Sequence, residues 1–384
     1  MKRFAAMLVG FGLAASCIGD AGAPIAESVP SGIGVGDLSV AARPGVPVEP
    51  NATPPVVWLT TPTAQVEFGN GRPSESTGTV ELANVWPDAP LEPTEVVERE
   101  VTADGQCGQQ TEQCDCSTVA QGRCAELCGG DYLDRETTGD ARARIDVTLP
   151  ACLRVRFQPS SREVVGSEVT VAVLGRTDGV QRARRTVGAL DDRIDFALLL
   201  GDHLGSGDEL DSFGELLRRD APVPVVVTPG ERELEGGSTR AFRREFGPLP
   251  NEWRVAGIQF ATVSTPRRTL GSGGVERLRA RLRSLGRTNG PLVIATHTPP
   301  FDPVAPRDGG FKSRLEGARA ASLFTRYGTD LLLAGHVSTR DRASVGPTDV
   351  LVAASPDRAR YTVAALPADA DEGADARIER RSAR

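Results

Sequence analysis

Phe196-Ala197-Leu198-Leu199-Leu200-Gly201-Asp202-His203 sets a short apolar run against a glycine, a carboxylate and an imidazole. Such a run, bounded by a turn residue, reads as a strand buried on both faces. The same texture recurs at Val169 to Leu174, Val223 to Val227, Ile258 to Val263, Leu292 to Ala295 and Leu331 to Ala334. Between these runs, Leu210 to Arg219, Thr239 to Phe246, Val275 to Leu285 and Leu315 to Tyr327 have helical periodicity, and Leu278, Leu282 and Leu285 form one apolar stripe. Buried strands alternating with amphipathic helices predict an α/β layered sheet whose site lies at the strand ends.

Upstream the texture differs. Val56 to Thr60, Gly78 to Leu82, Arg144 to Thr148 and Cys152 to Phe157 read as strands separated by Pro, Gly and Asn clusters, which predicts a small all-β domain over 56–166. A Cys-rich insertion over 107–128 interrupts it. The segment 18–55, rich in Ala, Gly, Pro, Ser and Val, predicts a flexible tether, and 367–384 a disordered tail.

Residues 1–17 carry Lys2 and Arg3, the apolar run Phe4 to Ala15, and Ala14-Ala15-Ser16-Cys17, which resembles a bacterial lipobox with Cys17 as the lipidated residue. A dozen apolar residues is too short to span a bilayer, so this reading gives an exported protein, lipid-anchored to the cell envelope, with the outer membrane favoured. Cys107, Cys114, Cys116, Cys124, Cys128 and Cys152 remain, an even set that reads as three disulfides of undetermined pairing; a zinc site is the rival. Arg277, Arg279, Arg281 and Arg283 stud one helix, as a solvated face or as a contact for anionic lipid. A net charge of −7 gives no general cationic field for nucleic acid.

The chain has three histidines, His203, His297 and His336, and each follows an apolar strand. Asp202 adds a carboxylate, and Glu231 and Glu233 in Pro229-Gly230-Glu231-Arg232-Glu233 add two more; two imidazoles with two carboxylates make a metal-ligand set.

From about 169 to 342 the order of motifs resembles the calcineurin-like metallophosphoesterases, particularly their purple-acid-phosphatase-like branch. The blocks that carry the resemblance are Leu200-Gly201-Asp202, Pro229-Gly230-Glu231-Arg232-Glu233 in place of Gly-Asn-His-Glu, Thr296-His297-Thr298-Pro299-Pro300-Phe301, and Ala334-Gly335-His336-Val337-Ser338 in place of Gly-His-x-His. The resemblance implies a layered β-sandwich flanked by helices over 167–366. It also implies Asp202, Glu231, His297 and His336 as the retained metal positions.

The departures matter as much. Arg176 and Asp178 stand where the family has Asp-x-His, Ser338 stands for the second histidine of the last block, and Arg232 stands for the histidine that assists the leaving group. One metal position thus loses its ligands together, which excludes a dinuclear clamp. Arg176 and Asp178 then form an anion-binding or metal-substituting pair. Two readings follow: a catalytically impaired binding or scaffold module, taking a phosphorylated or anionic ligand with one divalent metal (Mn, Fe or Zn) or none, or a mononuclear metal-dependent phosphoester hydrolase. His203 reads as a support for the neighbouring ligand, or as a replacement proton donor if it faces the cleft, and Glu233 as a helix-start carboxylate.

Overall fold

The computed structural model describes residues 33–35, 38–43, 45–49, 53–86, 89–118, 121–139, 141–159, 168–235, 239–247, 249–286, 290–302, 309–337, 341–353, 355, 360–367 and 377–382. Alternation of apolar and polar residues builds the first body. In Arg142–Leu149 the side chains of Ala143, Ile145, Val147 and Leu149 are buried and the intervening ones face outward. That strand sits in a five-stranded sheet ordered Gly45–Glu49, Val56–Leu59, Ser76–Ala83, Arg142–Leu149, Leu133–Gly139. A six-stranded sheet runs Ile33–Val35, Leu38–Arg43, Gln65–Asn70, Leu153–Pro159, Leu91–Val101, Cys107–Asp115. The two share one core, with Val66, Phe68, Val155 and Phe157 among its buried residues.

The expected tether does not hold over its whole length. Ile33–Val35 and Leu38–Arg43 are strands, with Leu38–Arg43 antiparallel to Gln65–Asn70, and Ile33, Val35, Leu38, Val40 and Ala42 enter the core. Each strand is short, and the sheet that holds them is completed far along the chain, so local composition hides them. The Cys-rich segment is likewise more than a loop: Cys107–Asp115 is an edge strand paired with Leu91–Val101, followed by the helix Arg123–Cys128. Three disulfides form, Cys107 with Cys152, Cys114 with Cys124, and Cys116 with Cys128. The last two staple the helix to the edge strand and the turn after it, giving a six-residue helix covalent support that so short an element lacks by itself.

The second body has two facing sheets. One is ordered Val225–Val227, Phe196–Leu199, Glu168–Leu174, Arg360–Pro367, Arg377–Ser382, and the first three strands are parallel. The other is ordered Glu252–Val255, Ile258–Val263, Leu292–Thr296, Leu331–Ala334, Thr348–Val352, Asp341–Val345. Val171, Val173, Phe196 and Leu198 from the first belong to one core with Phe260, Val293, Ala295 and Leu333 from the second. The helices Val180–Val187, Leu210–Asp220 and Thr239–Phe246 cover one outer face, and Gly274–Leu285 and Arg314–Arg326 the other. This is the expected β-sandwich between helical layers.

Two further expectations change. Arg377–Ser382, assigned to the tail, is a strand antiparallel to Arg360–Pro367. Arg281 is no solvated residue, for its guanidinium donates to the carbonyls of Asn251 and Thr262 and pairs with Glu252. Cys17 and the signal segment lie outside the described residues.

The two bodies share packing and hydrogen bonds. Val56, Trp58 and Ala83 enter the core beneath the first helical layer, and the Trp86 indole N–H donates to Asp195 O at 2.7 Å. Asn84 uses its side-chain amide as a peptide would: Nδ2 donates to Val225 O at 2.7 Å and to Leu59 O at 2.5 Å, while Oδ1 accepts the Val225 N–H at 2.5 Å. The edge strand Val225–Val227 is thereby capped. Asn84→Ala leaves these buried backbone groups unpaired and should lower unfolding stability by about 2–4 kcal/mol; denaturant titration of the oxidised chain measures it, and an unchanged midpoint would remove the clamp from the account of the junction.

Candidate metal centre

The parallel strands deliver their C-terminal ends to one place. Asp202 follows Phe196–Leu199, the turn 229–233 follows Val225–Val227, His297 follows Leu292–Thr296, His336 follows Leu331–Ala334, and Arg176 with Asp178 follows Glu168–Leu174. Ligand atoms of Asp202, His297 and His336 all lie within 4.8 Å of one another. Asp202 Oδ2 is 3.5 Å from His297 Nε2 and 3.8 Å from His336 Nδ1, and the two imidazole nitrogens are 3.1 Å apart.

The proton on His297 is placed by its neighbour. Nδ1 lies 2.6 Å from the carbonyl of Leu200, which only accepts, so Nδ1 carries the hydrogen and Nε2 presents a lone pair. That lone pair meets a carboxylate oxygen and a second imidazole nitrogen, a donor set suited to a divalent cation. Burial pushes the His297 pKa down to about 4, the Asp202 charge opposing it. Burial alone would raise the Asp202 carboxyl, but His336, His297, the Arg232 N–H and Arg176 hold it well below the usual carboxylate range. Asp202 therefore stays ionised.

Backbone geometry marks the same place. Asp178, Asp202 and His336 adopt φ of +54°, +58° and +64°, left-handed values that cost a side-chain-bearing residue about 1 kcal/mol or more. Gly201 and Gly230 are needed for close approach: a Cβ on Gly201 would stand 2.4 Å from Gly230 N, and one on Gly230 would stand 2.4 Å from both Asp202 N and Asp202 Oδ1.

The remaining site residues fall around this core. Arg176 donates from Nε to both oxygens of Asp178 at 3.1 Å and from a terminal nitrogen to Oδ1. Hydrogen bonding to Asp178 raises the guanidinium pKa, with Asp202 and Glu231 as further negative neighbours. Glu231 is exposed and stands outside the three-residue cluster. Arg232 donates its backbone N–H to Asp202 Oδ1 at 3.1 Å and its guanidinium to the Gly205 carbonyl. His203 is fully buried and stacks on Phe213 with centroids 5.6 Å apart, and its Nδ1 is 3.3 Å from Thr177 Oγ1. Ser338 lies outside the described residues.

Sequence reasoning missed two supports. Glu233 is no helix-start carboxylate: it is fully buried and accepts the N–H groups of Asp202, His203, Leu204 and Gly230. Thr265 holds the His297 segment, its Oγ1 2.7 Å from Thr296 Oγ1 and accepting the Thr298 N–H at 2.8 Å. No local pattern announces either role, because both rest on contacts distant in sequence.

His203 and His297 are held neutral, with pKa values of about 3 and about 4 produced chiefly by burial, against an ordinary value of 6.5. Each depressed value contributes stability that is present above pH 6.5 and is lost as pH falls toward the folded-state pKa. A single such group gives a slope of about 1.4 kcal/mol per pH unit in that window. Between about pH 6 and about pH 4.5, inside the window those values define, His203→Phe should therefore flatten the pH dependence of unfolding by about one such slope. Denaturation at several pH values checks this, and parallel curves would contradict a neutral buried His203.

Residues 174–339 match the family model of calcineurin-like phosphoesterases. None of the curated proteins matches the chain in sequence. Among solved structures, TT1561 of Thermus thermophilus is 17% identical with a TM-score of 0.42, covering 56% of this chain and 100% of its own. A dimetal phosphatase from Danio rerio is 11% identical with a TM-score of 0.38, covering 55% and 98%. GAP50, the anchor in the inner membrane complex of Plasmodium, is 10% identical with a TM-score of 0.39, covering 53% and 82%. The family is one that uses divalent metals, and the cluster of Asp202, His297 and His336 lies within the matched stretch. Over residues 174–339 the chain is a calcineurin-like phosphoesterase domain.

Proposed function

We propose that the chain is an exported, lipid-anchored protein whose phosphoesterase domain holds at most one divalent cation and binds a phosphorylated or anionic ligand without efficient hydrolysis. The observation that carries this reading is the Arg176–Asp178 ion pair, formed where the family places two ligands of its other metal. A guanidinium bound to its own carboxylate supplies fixed positive charge, but it does not lower the pKa of a water as a metal does. Asp202, His297 and His336 would hold the remaining cation, which would supply Lewis acidity toward a phosphoryl oxygen.

Charge bears on the ligand class. Around the cleft the carboxylates of Asp178, Asp202, Glu231 and Glu233 outnumber the guanidiniums of Arg176 and Arg232, four against two, with His297 neutral. One divalent cation cancels that excess, so an anion that the bare cleft repels is no longer repelled when the cation is present. Export is supported by three disulfides, which suit an oxidising compartment. Among the described residues no helix is long and apolar enough to cross a membrane. Anchoring at Cys17, with an outer-membrane destination, rests on the lipobox resemblance alone.

Elemental analysis of the oxidised chain beginning after Cys17 tests the reading. We expect about one equivalent of manganese, iron or zinc, lost in His336→Ala, and no metal-dependent hydrolysis of 4-nitrophenyl phosphate. Two equivalents would overturn it, and turnover that disappears in His297→Ala would establish the mononuclear hydrolase. Arg176→Ala should lower stability by about 1–2 kcal/mol, below the cost for a fully buried pair because 25% of the Arg176 side chain is exposed; an unchanged melting temperature would deny Arg176 its charge-compensating role.

A further inference from the structure

We infer that Glu233 is a positioning residue of the candidate metal centre: its carboxylate accepts backbone N–H groups and sets where Asp202 and, through the same loop, His297 present their donor atoms. This deepens the one-cation reading and rests on it.

A buried carboxylate is costly unless its oxygens are satisfied, and those of Glu233 are satisfied by backbone. Oε2 accepts Asp202 N–H at 2.8 Å and Gly230 N–H at 2.7 Å; Oε1 accepts His203 N–H at 2.7 Å and Leu204 N–H at 3.3 Å. These donors belong to the loops that follow the adjacent parallel strands Phe196–Leu199 and Val225–Val227. One side chain therefore ties both loops at the point where Gly201 and Gly230 leave no room for a Cβ.

The tie reaches the donor atoms by two routes. Asp202 is held through its own N–H in a left-handed conformation, which directs the carboxylate oxygen toward His297 and His336. Leu200, two residues earlier on that loop, supplies the carbonyl that fixes the His297 tautomer. Moving the loop thus disturbs the carboxylate and the imidazole together. Groups that orient ligands in this way are worth about 10–100-fold in metal affinity.

Glu233→Gln is the sharpest variant. Each Glu233 oxygen accepts two N–H groups, so whichever way the amide turns, its NH2 confronts two donors that need an acceptor. Mn2+ binding to the full exported chain, followed by the loss of free-ion EPR signal, is compared for wild type, Glu233→Gln and the exposed control Glu235→Gln. We expect about 10–100-fold weaker Mn2+ binding in Glu233→Gln with an unchanged far-UV spectrum, and wild-type affinity in the control. In metal-free protein, the 15N-correlated imidazole signals of His297 and His336 should move in Glu233→Gln and stay in place in Glu235→Gln. A Glu233→Gln protein that only melts lower, with wild-type affinity and imidazole spectra, overturns the inference.

If wild type binds no Mn2+, the one-cation reading falls and the metal-free imidazole spectra alone judge Glu233: displaced signals support it and native signals overturn it. Should Glu233→Gln fail to fold, Glu233→Asp replaces it. Aspartate keeps both oxygens and the charge but withdraws them by one methylene, so a smaller loss of affinity with displaced signals is expected, and native behaviour overturns the inference.

Discussion

Two neighbouring parallel strands end so close together that their turns meet backbone to backbone, and the rest of the site depends on that contact. Gly201 and Gly230 permit it, since a Cβ on either would fall within 2.4 Å of main-chain nitrogen in the other turn. Once the turns are in contact, their amide hydrogens point inward and are cut off from solvent, so an acceptor must be buried there. Glu233 is that acceptor. Its charge is tolerated because four donors surround it, although burial still pushes its pKa upward. Left-handed Asp202, the Leu200 carbonyl on His297, and the meeting of three ligand atoms all follow from that packed turn pair.

Electrostatics then separates the two halves of the cleft. On one side, lone pairs from a carboxylate and two imidazoles converge with no built-in cation among them. On the other, a guanidinium has its carboxylate partner two residues away in the same loop, so the charge is permanent and internally matched. A bound metal can be exchanged and can activate water; an arginine is always charged, and its fork of donors fits a carboxylate or phosphate by geometry. Under the proposed reading, an arginine in place of a metal would preserve attraction for an anion while forgoing the means to generate a nucleophile.

The parts of the molecule legible in sequence are those in which local pattern and tertiary role coincide. Phe196–Leu199 and Leu331–Ala334 are apolar throughout because both faces are covered, and Asp202, His297 and His336 follow such strands, so the ligand cluster could be anticipated from order alone. Ile33–Val35 and Leu38–Arg43 hid because they are short and join a sheet completed far away in sequence, and Arg377–Ser382 because an edge strand can be charged along its length. Glu231 was overvalued for a related reason: its position in the motif is right, but its exposed side chain stands apart from the cluster. Glu233 and Thr265 were undervalued because a buried acceptor has the same one-letter code as a surface one.

The small β domain belongs to this same chain of constraints. Val225–Val227 is an edge strand only three residues long, and its free side is covered by the amide of Asn84 from the first body. Immediately beyond it the chain turns through Gly230 to Glu233. A strand that short has few hydrogen bonds with which to fix its own register, so the bonds from Asn84, with Trp58 and Ala83 packed in the shared core, supply part of what places the turn. The disulfides stiffen the far edge of the first body, away from Asn84 in the sheet order, whereas the strand carrying Ala83 continues directly into the clamp. The first body therefore bears on the candidate metal centre through one strand and one side-chain amide, which makes it part of the site's framework.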